Sequence, residues 1–109
     1  MDRPLTEVER NVLSAMLDRP FPGAPQLRAQ LATARVVGQC HCGCPTVDLA
    51  VDVTLPTAVV DSRIPVEAAV PDGGLILFVE EGRLSSLEYY HLAEDPPPYF
   101  PAPDQLRFT

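Results

Sequence analysis

Apolar positions recur at three- and four-residue spacing near the start of the chain, and from Arg35 onward the spacing changes to two. In LTEVERNVLSAMLDR the stripe Val8, Val12, Leu13, Met16 and Leu17 has the period of a helix with one buried face. Thr6 and Glu9 stand at the spacing of a capping box, so this helix covers about 6–18. RPFPG reads as a turn. Pro25 then suits the first position of a second helix over about 25–34, with Leu27 and Leu31 facing inward.

TVDLAVDVT alternates cleanly, with Val47, Leu49, Val51 and Val53 on one face and Asp48, Ala50, Asp52 and Thr54 on the other. Strands are expected at about 35–41, 46–54, 64–70, 74–80 and 83–92. The last two form a hairpin around Glu-Glu-Gly. A three-residue loop with Gly82 in the bulge position is expected, because a two-residue turn would force a positive φ on Glu81. That register sets Leu87 and Tyr89 beside Leu75, Leu77 and Val79, and puts Ile76, Phe78, Leu84, Glu88 and Tyr90 on the opposite face. The tail, 93–109, is crowded with proline and is expected to be extended, pinned by Leu106 and Phe108 with Tyr99 and Phe100.

The expected fold is therefore α+β. Two N-terminal helices pack on one face of a four- to five-stranded antiparallel sheet, and the proline-rich C-terminal tail lies against it. At 109 residues the chain has room for a single domain with one core. The expected core is Val8, Val12, Leu13, Met16, Leu17, Leu27, Leu31, Val47, Leu49, Val51, Val53, Leu75, Leu77, Val79, Leu87 and Tyr89.

The formal net charge of −7 argues against nucleic acid as a partner, since binding a phosphate backbone needs a basic patch. All eight basic residues are arginine, which with the abundant Ala, Val and Pro suggests a high-GC bacterial genome. No signal peptide or membrane span is recognisable, so a cytoplasmic protein without membrane contact is expected. An exposed edge strand would allow a homodimer as readily as a monomer.

GQCHCGCPTVDLAVDV is the one stretch with candidate metal chemistry. Cys40, Cys42 and Cys44 with His41 or His91 would give zinc its sulfur and imidazole ligands. Structural zinc sites use cysteine pairs two to four residues apart plus a distant second pair, and no second pair exists here. Entry into a half-buried strand is the plainer explanation. A reactive thiolate would need a helix N-terminus or a nearby cation, and a strand offers no helix dipole.

The carboxylates Asp48, Asp52, Glu67 and Glu88 fall on the non-core phase of their strands, interleaved with Phe78 and Tyr90. Such alternation ordinarily marks a solvated sheet face. Its functional version is a docking surface for a basic protein, with aromatic anchors and carboxylate steering. No nucleophile elbow, phosphate loop or paired acid motif is present, so a non-enzymatic binding module without a cofactor is expected, with a zinc-binding domain as the alternative. A toxin-neutralising, immunity-like role against a basic nuclease would suit a small acidic protein.

LTEVERNVL, CGCPTVDLAVD, GRLSSLEYY and PAPDQL together resemble a family of small actinobacterial proteins. The resemblance spans nearly the whole chain, is structural in kind, and implies no catalytic or binding residue.

Overall fold

The change of period at Arg35 divides the molecule into a helical N-terminal part and a sheet. The computed structural model describes residues 2–40, 43–92, 95 and 97–108. In chain order it contains β1 (Arg3–Pro4), α1 (Glu7–Leu17), α2 (Ala24–Leu31), β2 (Arg35–Gln39), β3 (Val47–Ala50), β4 (Val66–Val70), β5 (Gly73–Glu80), β6 (Arg83–His91) and a 3-10 turn at Pro103–Gln105. The strands form one antiparallel sheet in the order β1-β2-β3-β6-β5-β4. The fold is α+β, with six strands rather than four or five.

The additional strand is β1. Two residues carry no periodicity, and what holds β1 is a side-chain contact rather than its own pattern. Thr6 and Glu9 form the capping box, the Thr6 N–H donating to Glu9 at 2.8 Å and the Glu9 N–H to Thr6 Oγ1 at 3.1 Å. The same Glu9 carboxylate accepts both arms of the Arg3 guanidinium, at 2.9 and 2.8 Å. One buried carboxylate thus starts α1 and ties β1 to it.

The hydrophobic core joins Val12, Leu13, Met16, Leu17 and Leu27 of the helices to Val36, Val47, Leu75, Leu77 and Leu87 of the sheet. α1 touches β4 and α2 touches β6. Three residues expected in the core are not part of it: Val8 and Val53 are exposed, at 41 % and 69 %, and Val51 is only partly buried against it. Val53 is exposed because β3 stops at Ala50. There Asp52 takes over locally: Asp52 Oδ1 accepts from the Thr54 N–H and hydroxyl, at 2.9 and 2.7 Å, and a turn replaces the strand. In the tail Phe100 is buried and Leu106 and Phe108 pack against the core, whereas Tyr99 stands out at 75 % exposure.

The β5–β6 hairpin differs from expectation at its tip. Glu80 pairs with Arg83, leaving a two-residue turn in which Glu81 has φ 52° and Gly82 φ 75°. Both central residues of such a turn take positive φ. The extra residue appears further along, where Phe78 opposes Ser86 and Val79 opposes Leu84, so that Ser85 forms a bulge. Beyond the bulge Leu75 and Leu77 face Tyr89 and Leu87, while before it Leu84 turns to the buried side at 2 % exposure instead of the open face.

What holds this turn comes from elsewhere in the chain. Gln30, 1 % exposed on α2, donates to the carbonyls of Pro56 and Gly82 at 3.1 and 2.9 Å. Its amide oxygen accepts the Leu84 N–H at 3.1 Å. The Gly82 carbonyl also accepts the Ala58 N–H at 2.8 Å. A Cβ at position 82 would lie 2.6 Å from the Ala58 oxygen, so this turn requires glycine for space as well as for φ.

Replacing Gln30 with Leu would leave the buried Leu84 N–H without its partner and take a donor from the Pro56 and Gly82 carbonyls. A loss of about 2–4 kcal/mol is expected, read as a lower urea midpoint at unchanged m-value; a midpoint shift worth less than about 1 kcal/mol contradicts the assignment.

A second expectation concerns pH. Burial pushes the Glu9 carboxyl up, but the Arg3 fork and the Thr6 hydrogen bonds outweigh it and hold the carboxyl below its ordinary value. A lowered folded-state value gives stability that is present above the unfolded carboxyl's pKa of about 4.3 and is lost as pH falls through the lower folded value. Glu9→Gln should therefore be less stable than the native chain near neutral pH, with the gap closing below about pH 4 in denaturation curves taken across a pH series. A gap that stays constant into strong acid would rule out the ion pair as its source.

Candidate functional site

The sheet's exposed face is built by register. In β4, exposure alternates strictly, with Glu67 and Ala69 exposed between buried Val66, Ala68 and Val70. Glu67 pairs with Ile76, and Ile76 in turn pairs with Glu88. Three adjacent strands therefore carry a row Glu67–Ile76–Glu88, with an aliphatic side chain between two carboxylates. Neighbouring strands are about 4.8 Å apart, which places the outer two α-carbons on the order of 10 Å from each other. The row on one side runs Phe78–Ser86–Asp48 and that on the other Ala69–Gly74–Tyr90.

Tyr90 is fixed by what is missing beneath it. A Cβ at Gly74 would stand 2.4 Å from the Tyr90 hydroxyl and 2.5 and 2.6 Å from two of its ring carbons, so the phenol end of the side chain lies over the glycine while Tyr90 keeps 46 % exposure. Phe78, half-buried, has the Arg63 guanidinium 5.6 Å from its ring centre. Arg63 is also ion-paired with Glu80. Among the described residues, Asp48, Glu67 and Glu88 belong to no ion pair. The arrangement presents three uncompensated carboxylates around aliphatic and aromatic surface.

Of the sequence-derived candidates, Asp48, Glu67, Phe78, Glu88 and Tyr90 share this face. Asp52 does not, because it lies in the turn beyond β3, where hydrogen bonds from Thr54 hold its carboxyl below the ordinary range. Ile76, at the centre of the row, and Gly74, under the tyrosine, went unremarked as site residues. Both were visible as same-phase neighbours of Phe78, but an apolar residue on an outward phase carries no chemical signature of its own.

The cysteines do not open a strand. β2 ends at Gln39 and β3 begins at Val47, so Cys40 and Cys44 belong to the connection between neighbouring antiparallel strands, bent at Gly43 with φ 91°. Cys40 is exposed and Cys44 half-buried; the Cys40 N–H donates to the Thr46 carbonyl at 3.2 Å. His41 and Cys42 lie outside the described residues. His91, at the end of β6, comes to the same end of the sheet, since Val47 pairs with Leu87 and the Tyr89 N–H donates to Thr46 Oγ1 at 3.0 Å. Among the described residues no group of three His, Cys, Asp or Glu side chains is placed to hold a metal ion.

Under this end of the sheet, Tyr89 is buried, stacks on Phe100 with ring centres 6.2 Å apart, and donates its hydroxyl to Asp72 at 2.6 Å. Burial and the Asp72 carboxylate push its pKa up to about 12. It serves as a neutral hydrogen-bond donor that anchors the tail's Phe100, not as an acid or base near neutrality. A groove of about 530 Å³ lies at the other margin of the face, lined by Arg19, Phe21, Ile64, Val66, Glu67 and Phe108. No helix is long and apolar enough to cross a membrane among the described residues.

No protein-family model matches the chain, and no curated protein or solved structure matches it at a significant level.

Proposed function

We propose that the protein is a non-enzymatic binding module whose open sheet face docks a basic protein surface. The observation that carries this reading is the row Glu67–Ile76–Glu88, two carboxylates without ion-pair partners among the described residues on either side of an exposed-phase aliphatic residue. A partner arginine or lysine can lay its methylene stem on Ile76 and place its charge between the carboxylates. Tyr90 and Phe78 supply aromatic area held at fixed positions, which makes good anchors because little side-chain freedom is lost on binding. The core that the helices share with the sheet is built from its other phase, Val66, Leu75, Leu77 and Leu87, which leaves the residues of this phase outside it. A role in neutralising a basic toxin fits the same chemistry.

The test is an amide-shift titration of the labelled protein with a synthetic peptide alternating arginine and valine. Salt-sensitive binding that shifts Ile76, Phe78, Glu88 and Tyr90 is expected, and the double variant Glu67→Arg/Glu88→Arg should weaken it by about tenfold or more. Asp52→Arg, a change of the same sign off the face, should leave it nearly unaltered. Equal affinity in the double variant, or no shifts on the face, refutes the reading.

A zinc-binding role is the second reading, favoured by the meeting of the Cys40–Cys44 connection and His91 at one end of the sheet. Its ligands would be drawn from Cys40, Cys42, Cys44, His41 and His91. Elemental analysis of protein purified without chelator should then find about one zinc per chain, lost on replacing Cys40 and Cys44 by serine; metal-free protein eliminates it.

A further inference from the structure

Among the described residues the tail's backbone pairs with the sheet at one residue, and that contact has the form of strand addition. The Ala69 N–H donates to the Arg107 carbonyl at 2.8 Å and the Arg107 N–H to the Ala69 carbonyl at 2.9 Å, an antiparallel bridge on the outer edge of β4. Outward-pointing backbone groups recur every second residue along an edge, so the next outward pair on β4 belongs to Glu67. It has no backbone partner among the described residues. The groove of about 530 Å³ lies alongside it, between Val66, Glu67, Ile64 and Phe108.

Side chains around the bridge alternate as in a regular strand. Leu106 and Phe108 pack toward the core, while Arg107 is exposed opposite exposed Ala69. Residues paired across an antiparallel bridge share a face, so Arg107 stands on the acidic face, diagonal to Glu67. The chain's own tail is therefore a cationic residue between two apolar ones, seated on the edge beside an uncompensated carboxylate.

We propose that the edge of β4 from Val66 to Val70 is a strand-addition site for an extended segment of the basic partner, with arginine or lysine between apolar residues, and that Leu106–Phe108 occupies it as an internal competitor. This rests on the docking reading above and extends it from the face to the edge. Pro65 and Pro71 bracket β4, limiting the addition to this short stretch because proline offers no donor to a ladder. The partner segment pairs with Ala69 and Glu67, directs its cation to the open face, and gains access when the tail releases its single bridge.

The probe is the synthetic peptide Pro-Asp-Gln-Leu-Arg-Phe-Thr, the sequence of residues 103–109, titrated into the labelled full chain and into two variants. Arg107→Pro removes the tail's donor to Ala69; Arg107→Glu keeps it but sets a carboxylate beside Glu67. Peptide binding should shift the amides of Val66–Ala69 and tighten by about tenfold in either variant, as loss of one or two hydrogen bonds frees the edge. If neither variant tightens binding and shifts appear only at Ile76, Glu88 and Tyr90, the edge proposal fails while the face reading stands. Shifts at neither place overturn both. A doubled mass by sedimentation without peptide would make the occupant a second copy's tail, and would overturn the partner assignment.

Discussion

The primary amide of Gln30 is the contact on which the rest of the sheet depends. A carboxamide at 1 % exposure must find partners for its donors and its acceptor, because an unmade hydrogen bond inside a core costs about 1–3 kcal/mol. Gln30 finds them at Pro56, Gly82 and Leu84, which belong to the long connection before β4, the hairpin tip and the start of β6. One side chain of α2 thereby fixes where the β5–β6 turn lies. The turn in turn fixes the register, and a slip of one residue would exchange the two faces of β6. Glu88 and Tyr90 stand in solvent, and Leu87 and Tyr89 in the core, because the tip is held in place.

That dependence explains which parts of the fold were legible in the sequence. The first helix was, because Thr6 and Glu9 carry their information within one turn and Val12, Leu13, Met16 and Leu17 repeat at the helical period. The strand around Val47 and Leu49 was legible from its alternation, and so were both faces of β4. The hairpin's existence could be read from Leu75–Val79 and the glycine, but its turn could not. Local rules weigh against a positive φ at Glu81, and what outweighs them is Gln30, more than fifty residues away in sequence. The bulge at Ser85 then restores the pairing of Leu77 with Leu87, so the expected neighbours appear from a different turn.

Other departures have the same origin in contacts that pattern alone does not encode. β1 has two residues and exists through the bidentate contact of Arg3 with Glu9. Asp52 and Val53 continue the alternation of β3 on paper, yet the Thr54 hydrogen bonds to the Asp52 carboxylate end the strand. The candidate site was legible to the extent that it is a matter of parity: Asp48, Glu67, Phe78, Glu88 and Tyr90 needed only correct phases. The cysteines were harder, since a run at alternate positions looks like a strand until the chain has to reverse at Gly43. The role of Arg107 depends on the tail pairing with β4, and a proline-rich segment gives no periodic signal of that.

The two edges of the sheet are treated differently, and the difference gives the exposed face a direction. At the β1 end, Pro4 offers no backbone donor and the Arg3 fork holds the strand to α1. Next to it, β2 shifts register between Val36 and Gly38, and bulges of this kind twist an edge away from further pairing. Among the described residues the β4 edge has no comparable protection along its length, only flanking prolines and a tail whose backbone bridges it at one residue. The carboxylate row reaches this edge at Glu67, and the groove lies beside the same residue. A long basic segment approaching the face therefore meets backbone pairing, charge and apolar surface together at β4, and a closed edge at β1. In the proposed docking role, a polarised surface of this form would favour a partner that enters from the tail side and extends across the sheet toward Glu88.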